Sequence, residues 1–302
     1  MKDNLPDFFI VGAAKSGTTS LYHYLEQHPS VFLPKNKEPK YFVSKIVEFP
    51  QEGKGDELAC ELMIKDITKY KQLFHQKGQG QICGEASVDY LYYSEKVIQL
   101  IKNEVGDSKI IIILRDPVKR AFAAYNHLIR DVRETETFDT GLELESERIK
   151  NNYEFIWHYK RTSLYYKDVK NYLDSFKNVK IIIFEEFLKE PILVTKEVYK
   201  FLGIDENFTP QVDKIYNFTG TPKNITLQKL LKGSSKQIVR RILKVIFNEN
   251  TRKLIRENME KMNISRNKIK ILPETEQSLS VYFKEDRLKI EKLLKIKLDY
   301  WT

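Results

Sequence analysis

Phe8-Phe9-Ile10-Val11-Gly12-Ala13-Ala14-Lys15-Ser16-Gly17-Thr18-Thr19-Ser20 opens as an apolar run and closes in small and hydroxylated residues around one cation. A run of this kind reads as a buried strand, and the stretch from Thr18 to Gln27 continues as a helix. A glycine turn between strand and helix aims backbone N–H groups and the positive helix end at one place, where a phosphate can be held. Gly12 and Gly17 have the spacing of a Walker A loop. Thr18 stands where that motif has its lysine, however, and Lys15 comes two residues before the second glycine. A cation moved upstream in this way lies over the loop, in reach of a bridging oxygen. The plainer reading is a glycine turn with Lys15 in solvent.

Two further runs, Ile110 to Leu114 and Val179 to Phe184, read as strands, and each is followed by a helical stretch, Val118 to Arg130 and Val194 to Leu202. Strands alternating with helices predict an α/β fold of the P-loop type over residues 1–302 as one domain. Its central sheet is mainly parallel and flanked by helices, with ligands outside the carboxyl ends of the strands. The second run exits as Leu114-Arg115-Asp116-Pro117-Val118-Lys119-Arg120-Ala121. Arg115 can fork onto a phosphate there, beside the first loop if the two strands are neighbours; the alternative is an ion pair with Asp116 or Glu185. Asp116 and Pro117 make an N-cap and first position for the next helix. Glu185 is the one imitation of the acidic magnesium ligand that a nucleoside triphosphate site needs.

The 302 residues carry 51 Lys+Arg against 42 Asp+Glu, a formal +9, with 41% hydrophobic and 31% charged residues, the composition of a globular protein. No apolar run approaches a membrane span, no signal-peptide stretch precedes Phe8, and only Cys60 and Cys83 occur, which together predict a protein of the reducing cytosol. Five histidines without helical pairing predict no metal site. The charge is local, because residues 223–270 hold fourteen basic and three acidic residues. Apolar residues from Ile225 to Ile246 fall near helical spacing there, so the segment reads as a basic helical cover. Its alternative role is a surface for an anionic substrate or for membrane headgroups.

Lys15-Ser16-Gly17-Thr18-Thr19, Ile113-Leu114-Arg115-Asp116-Pro117 with Arg120-Ala121, and Leu272-Pro273-Glu274-Thr275 through Leu298-Asp299-Tyr300-Trp301 together resemble the sulfotransferases that use 3′-phosphoadenylyl sulfate (PAPS). Lys37-Glu38-Pro39-Lys40-Tyr41-Phe42 is similar to a segment of the bacterial members and of the heparan sulfate N- and 3-O-sulfotransferases, whose glutamate is the base in the O-sulfating enzymes. The histidine of the cytosolic phenol and steroid branch has no counterpart in Gly84-Glu85-Ala86-Ser87. The resemblance implies that Lys15 with Ser16, Gly17, Thr18, Thr19 and Ser20 holds the 5′-phosphosulfate, that Arg115 binds the 3′-phosphate, and that Ser163-Leu164-Tyr165 lies close to the nucleotide. It departs at Ala123, where the family has a serine, at Arg266, Lys268 and Lys270, which only loosely echo a Lys-Gly-Arg segment, and at Ala86, where heparan-type enzymes often carry a lysine.

Sulfuryl transfer needs an in-line nucleophile, a base for the acceptor hydroxyl and a cation on the oxygen joining phosphate to sulfate. Lys15 and Glu38 fill the last two roles, with Glu85 in reserve; the plain alternative for Glu38 is an ion pair with Lys37 or Lys40. The expected donor is PAPS without a metal, and the expected acceptor a hydroxyl on a carbohydrate or glycolipid bound by residues 43–60 and 131–160. Nucleic acid is not expected as a partner, integral membrane insertion is not expected, and peripheral membrane contact is compatible with the basic segment. The competing readings are a P-loop kinase of a small metabolite, which would depend on magnesium, and a non-catalytic binder of anionic polymers.

Overall fold

A computed structural model describes residues 5–213, 221–232, 258–259, 262–265 and 269–302. Five parallel strands, β1 (Phe8–Gly12), β2 (Val31–Phe32), β3 (Ile82–Ala86), β4 (Lys109–Leu114) and β5 (Val179–Ile183), lie in the order β2-β3-β1-β4-β5. The expected α/β fold with a central parallel sheet is therefore what forms. Phe9, Val11, Ile110 and Ile112 enter the core on one face, while Phe8, Ile10, Ile111 and Ile113 enter it on the other. That alternation explains why the strands read as unbroken apolar runs: both faces are covered by helices.

Two strands of this sheet are missing from the sequence reading, one for its shortness and one for its composition. β2 has two residues, and β3 reads Ile-Cys-Gly-Glu-Ala. Gly84 is needed there because a Cβ at this position would lie 2.2 Å from the Phe8 ring on the adjacent strand. Strand β5 ends at Ile183, one residue earlier than expected, because Phe184 already belongs to the following helix.

The helices are α1 (Thr18–Glu26), α2 (Asp56–Glu61), α3 (Ile67–Gln72), α4 (Ser94–Glu104), α5 (Pro117–Arg130), α6 (Phe138–Glu143), α7 (Glu145–Lys150), α8 (Tyr166–Ser175), α9 (Phe184–Lys189), α10 (Pro191–Leu202) and α11 (Ile225–Lys232), with a final long helix over Pro273–Leu294. Asp116 caps α5 as expected, accepting from the Val118 and Lys119 amides at 2.9 and 3.1 Å, with Pro117 at the first position. Helix α10 begins at Pro191, three residues before the expected start. The last helix packs on α5 and α8, and its Asp286 accepts from the Tyr165 and Tyr166 amides at the start of α8. Of the expected basic cover, α11 is present, and its buried Gln228 donates to the Arg130 carbonyl at 3.0 Å. Residues 233–257, with Arg240 and Arg241, and residues 266–268 lie outside the described residues. Among the described residues, no helix is long and apolar enough to cross a membrane.

Candidate active site at the carboxyl ends of β1 and β4

Strands β1 and β4 are hydrogen-bonded neighbours, which is the condition for the Lys15 loop and Arg115 to form one site. Lys15 has φ 68° and Gly17 φ 86°, both left-handed. A Cβ on Gly17 would come within 2.9 Å of the Phe184 ring, so glycine answers both the conformation and the space. Helix α1 then starts at Thr18 without any side-chain cap, leaving its first amides free for an anion. The Ser16 hydroxyl is fully buried and has no hydrogen-bond partner.

Arg115 reaches back across this loop. Its Nη1 donates to the Lys15 carbonyl at 2.9 Å, its guanidinium packs 4.8 Å from the Phe184 ring centroid, and its buried Nε has no partner. The alternative ion pairs do not form among the described residues. Asp116 caps α5 and accepts from the Thr302 amide, while Glu185 accepts from the Asp116 amide and the Trp301 indole, each at 3.1 Å. Glu185 is thus a clamp on the C-terminal segment, and its resemblance to a magnesium ligand ends there. Tyr165 is buried under Arg115 and donates its hydroxyl to the Arg115 carbonyl at 2.9 Å. Ser163 accepts from the buried Arg120 Nε at 2.6 Å.

The Lys15 ammonium has neither a hydrogen bond nor an ion pair among the described residues. Burial pulls its ammonium down to about 7, with Arg130 adding to the effect and Asp131 and Glu38 opposing it. Glu38 follows on the Lys37–Phe42 segment, also left-handed at φ 62°, with its amide donating to the Ala86 carbonyl at 2.9 Å. Its Oε1 accepts from Lys37 Nζ at 2.7 Å, so the plain ion-pair reading is also present. Burial pushes this carboxyl up, but Lys37, Lys40 and Lys15 together bring it below the usual range.

Behind Glu38 lies a buried ionic network that the sequence did not announce. Lys40 Nζ is 2.9 Å from Glu154 and 3.7 Å from Asp89; Arg133 bonds Glu154 at 2.9 Å and also Asp56; Asp56 accepts from the Trp157 indole and the Glu154 amide. These residues join the stretches 43–60 and 131–160. Asp56, Arg133 and Glu154 are separated by tens of residues in loops without periodicity, so no sequence signal pairs them. Among the described residues, no group of three or more His, Cys, Asp or Glu could hold a metal.

Residues 6–210 match the family model described as "Sulfotransferase family". The chain belongs to the sulfotransferase family. It is similar over 98% of its length, and 98% of the other chain, to the crystal structure of a sulfotransferase from Alicyclobacillus acidocaldarius, with 34% identity and a TM-score of 0.78. It is 26% identical over 238 residues to the human heparan sulfate glucosamine 3-O-sulfotransferase 3B1, covering 77% of this chain and 54% of that protein. It is also 32% identical over 126 residues to the membrane-associated sulfotransferase kil1 of Dictyostelium discoideum, covering 42% of this chain and 24% of that one. The chain therefore spans about half the length of the human relative and a quarter of kil1. The expected family, the sulfotransferases, is borne out, and the kinase and polymer-binder readings fall away.

Of the sequence-predicted residues, the sulfotransferase fold brings Lys15, Ser16, Gly17, Thr18, Arg115 and Tyr165 together at one strand end, with Thr19 and Ser20 in the first turn of α1. Glu38 couples electrostatically to Lys15. Glu85 is brought beside this segment but is wholly buried.

Proposed function

We propose that this sulfotransferase, as one domain over residues 1–302, moves the sulfuryl group of PAPS to a hydroxyl of a carbohydrate or glycolipid. The acceptor O–H proton passes to Glu38 as the new O–S bond forms. The bond from sulfur to the 5′-phosphate oxygen breaks, and Lys15 meets the charge that develops on that oxygen. The products are a sulfate ester and adenosine 3′,5′-bisphosphate. The Ser16 to Ser20 amides and hydroxyls hold the 5′ end, and Arg115, carried on Tyr165, holds the 3′-phosphate. With Ala123 in place of a serine, Arg115 bears more of that contact.

The observation that supports this reading best is the set of unspent groups around one loop. Lys15 lacks an anion, Ser16 Oγ and Arg115 Nε lack partners, and α1 lacks a cap. Buried polar groups are nearly always satisfied, and a bisphosphorylated nucleotide would satisfy all of these. A hydroxyl acceptor on a sugar is favoured by the likeness to a protein named as a heparan sulfate 3-O-sulfotransferase. The free thiols of Cys60 and Cys83 suit a reducing compartment such as the cytosol. The exposed lysines of the C-terminal part leave peripheral contact with a membrane as the route to a lipid-borne acceptor.

The test is turnover of labelled PAPS in EDTA with desulfated heparan sulfate and a neutral glycolipid as acceptors, beside equilibrium binding of adenosine 3′,5′-bisphosphate. Glu38→Gln is expected to bind nucleotide normally and lose about 10² to 10⁴ in kcat. Turnover near that of the unsubstituted enzyme would remove Glu38 as the base.

A further inference from the structure

As an alternative base, Glu85 fails on access. Its carboxyl is 0% exposed and already accepts from the Ser87 hydroxyl at 2.6 Å, from the Tyr70 hydroxyl, and from the Tyr90 hydroxyl at 3.3 Å. A carboxyl with no solvent access and three hydroxyl donors does not meet an acceptor hydroxyl. What those three hydroxyls do next is informative.

Each of them supports the segment that carries Glu38. Ser87 Oγ gives its hydrogen to Glu85 and accepts from the Lys40 amide at 3.0 Å; Lys40 N–H can only donate, so the direction of this relay is fixed. Tyr90 Oη likewise gives its hydrogen to Glu85 and accepts from the Phe42 amide at 3.2 Å. Tyr70, the third donor, stacks its ring on Tyr41 with centroids 4.3 Å apart and planes 12° from parallel. Lys40, Tyr41 and Phe42 therefore all rest on one carboxyl through one intermediary each. The segment they belong to needs such support, because Glu38 and Lys40 hold left-handed backbone at φ 62° and 51°, a conformation that non-glycine residues keep only where their surroundings impose it. The second fixed point is the Glu38 amide on the Ala86 carbonyl, at the last residue of β3.

We propose that Glu85 is a positioning residue for sulfuryl transfer, which through Ser87, Tyr90 and Tyr70 locks the Lys37–Phe42 segment so that Glu38 faces the acceptor hydroxyl. The proposal rests on Glu38 being the base. Glu85 touches neither donor nor acceptor, and its effect reaches the reaction only through the direction of the Glu38 carboxylate.

Ser87→Ala removes one relay hydroxyl from the full chain with little change of volume. The readout is hydrolysis of labelled PAPS, with water as the hydroxyl acceptor, alongside calorimetric binding of adenosine 3′,5′-bisphosphate. The expected result is a loss of about 10- to 10²-fold in kcat, the scale of a small misplacement of a catalytic group, with nucleotide affinity unchanged. Ser87→Thr, which keeps the hydroxyl, should restore most of the rate. In a Glu38→Gln background Ser87→Ala should cost nothing further, since it acts through a group already removed; Glu85→Gln should show the same lack of multiplication. Turnover of Ser87→Ala equal to the unsubstituted enzyme overturns the proposal, as do losses that multiply with Glu38→Gln. Glu38→Gln with full turnover overturns the base assignment itself, a result distinct from either of those.

Discussion

Lys15 and Lys40 both pull on the Glu38 carboxyl, and both lose free energy of charging by burial, yet their ammonium groups shift in opposite directions. Burial dominates at Lys15 and brings it to about 7. At Lys40, Glu154, Asp89 and Glu38 outweigh the same burial, and the ammonium is held above its ordinary value. The loop after β1, proposed to hold the donor, thus keeps its ammonium unpaired, whereas the network behind Glu38 neutralises its own. A site whose anion arrives with the ligand must carry that cost while empty, and binding relieves it. A network with no such ligand to wait for has to be stable by itself.

The largest effect that would break this contrast concerns that network. Glu154→Ala leaves the buried Lys40 with Asp89 alone, at 3.7 Å, and takes one of the two carboxylates from Arg133, and is expected to cost about 3 kcal/mol of folding stability, measured by urea unfolding. A cost under about 1 kcal/mol would mean that the network is not self-supporting. At the donor end the effect should appear in binding instead. Arg115→Ala is expected to weaken adenosine 3′,5′-bisphosphate by about 1.5 to 3 kcal/mol while leaving ADP affinity and unliganded stability nearly unchanged. An equal loss for ADP would remove Arg115 from the 3′-phosphate.

Smaller effects concern protons. Because its surroundings pull the half-buried Lys15 down to about 7 from its ordinary 10.5, a bound anion should raise it, so nucleotide binding at pH 8 should take up part of a proton. Calorimetry in buffers of different ionisation heat measures that uptake, and Lys15→Ala should abolish it. The smallest effect belongs to Asp89, whose carboxyl is 1% exposed, has no hydrogen bond, and is pushed up to about 7 by burial against the pull of Lys40. A raised acid stabilises the folded state below its unfolded value of 3.8, and that contribution is lost as pH rises towards 7. Asp89→Asn should therefore flatten the fall of Tm between pH 5 and 7.5; an unchanged slope would show that Asp89 is ionised throughout.

The candidate donor site was legible in the sequence because it is built from contiguous residues on two regular exits, the Lys15 loop after β1 and Arg115 after β4, each preceded by a run of five apolar or glycine residues. Strand β3 was legible only in part, since Gly84 and Glu85 disguise it, and their presence is explained by Phe8 and by the three hydroxyls rather than by strand propensity. Glu38 was visible through its segment. What Glu85 does was not, as a carboxyl near a strand end reads equally as base or as anchor until its exposure is known.

Local chemistry therefore determined the fold class and the loop at the end of β1 proposed to hold phosphate: periodicity, glycine spacing and a capping Asp-Pro act within a few residues, where chain connectivity already fixes the geometry. Only the tertiary structure decided which charges are paired. Lys15 and Lys40 differ by nothing in their own chemistry, and the sign of each shift depends on Glu154, Asp89 and the burying layers that residues far along the chain bring to them. Electrostatic energy in a protein depends on desolvation and on distances of a few ångströms, and folding alone sets both.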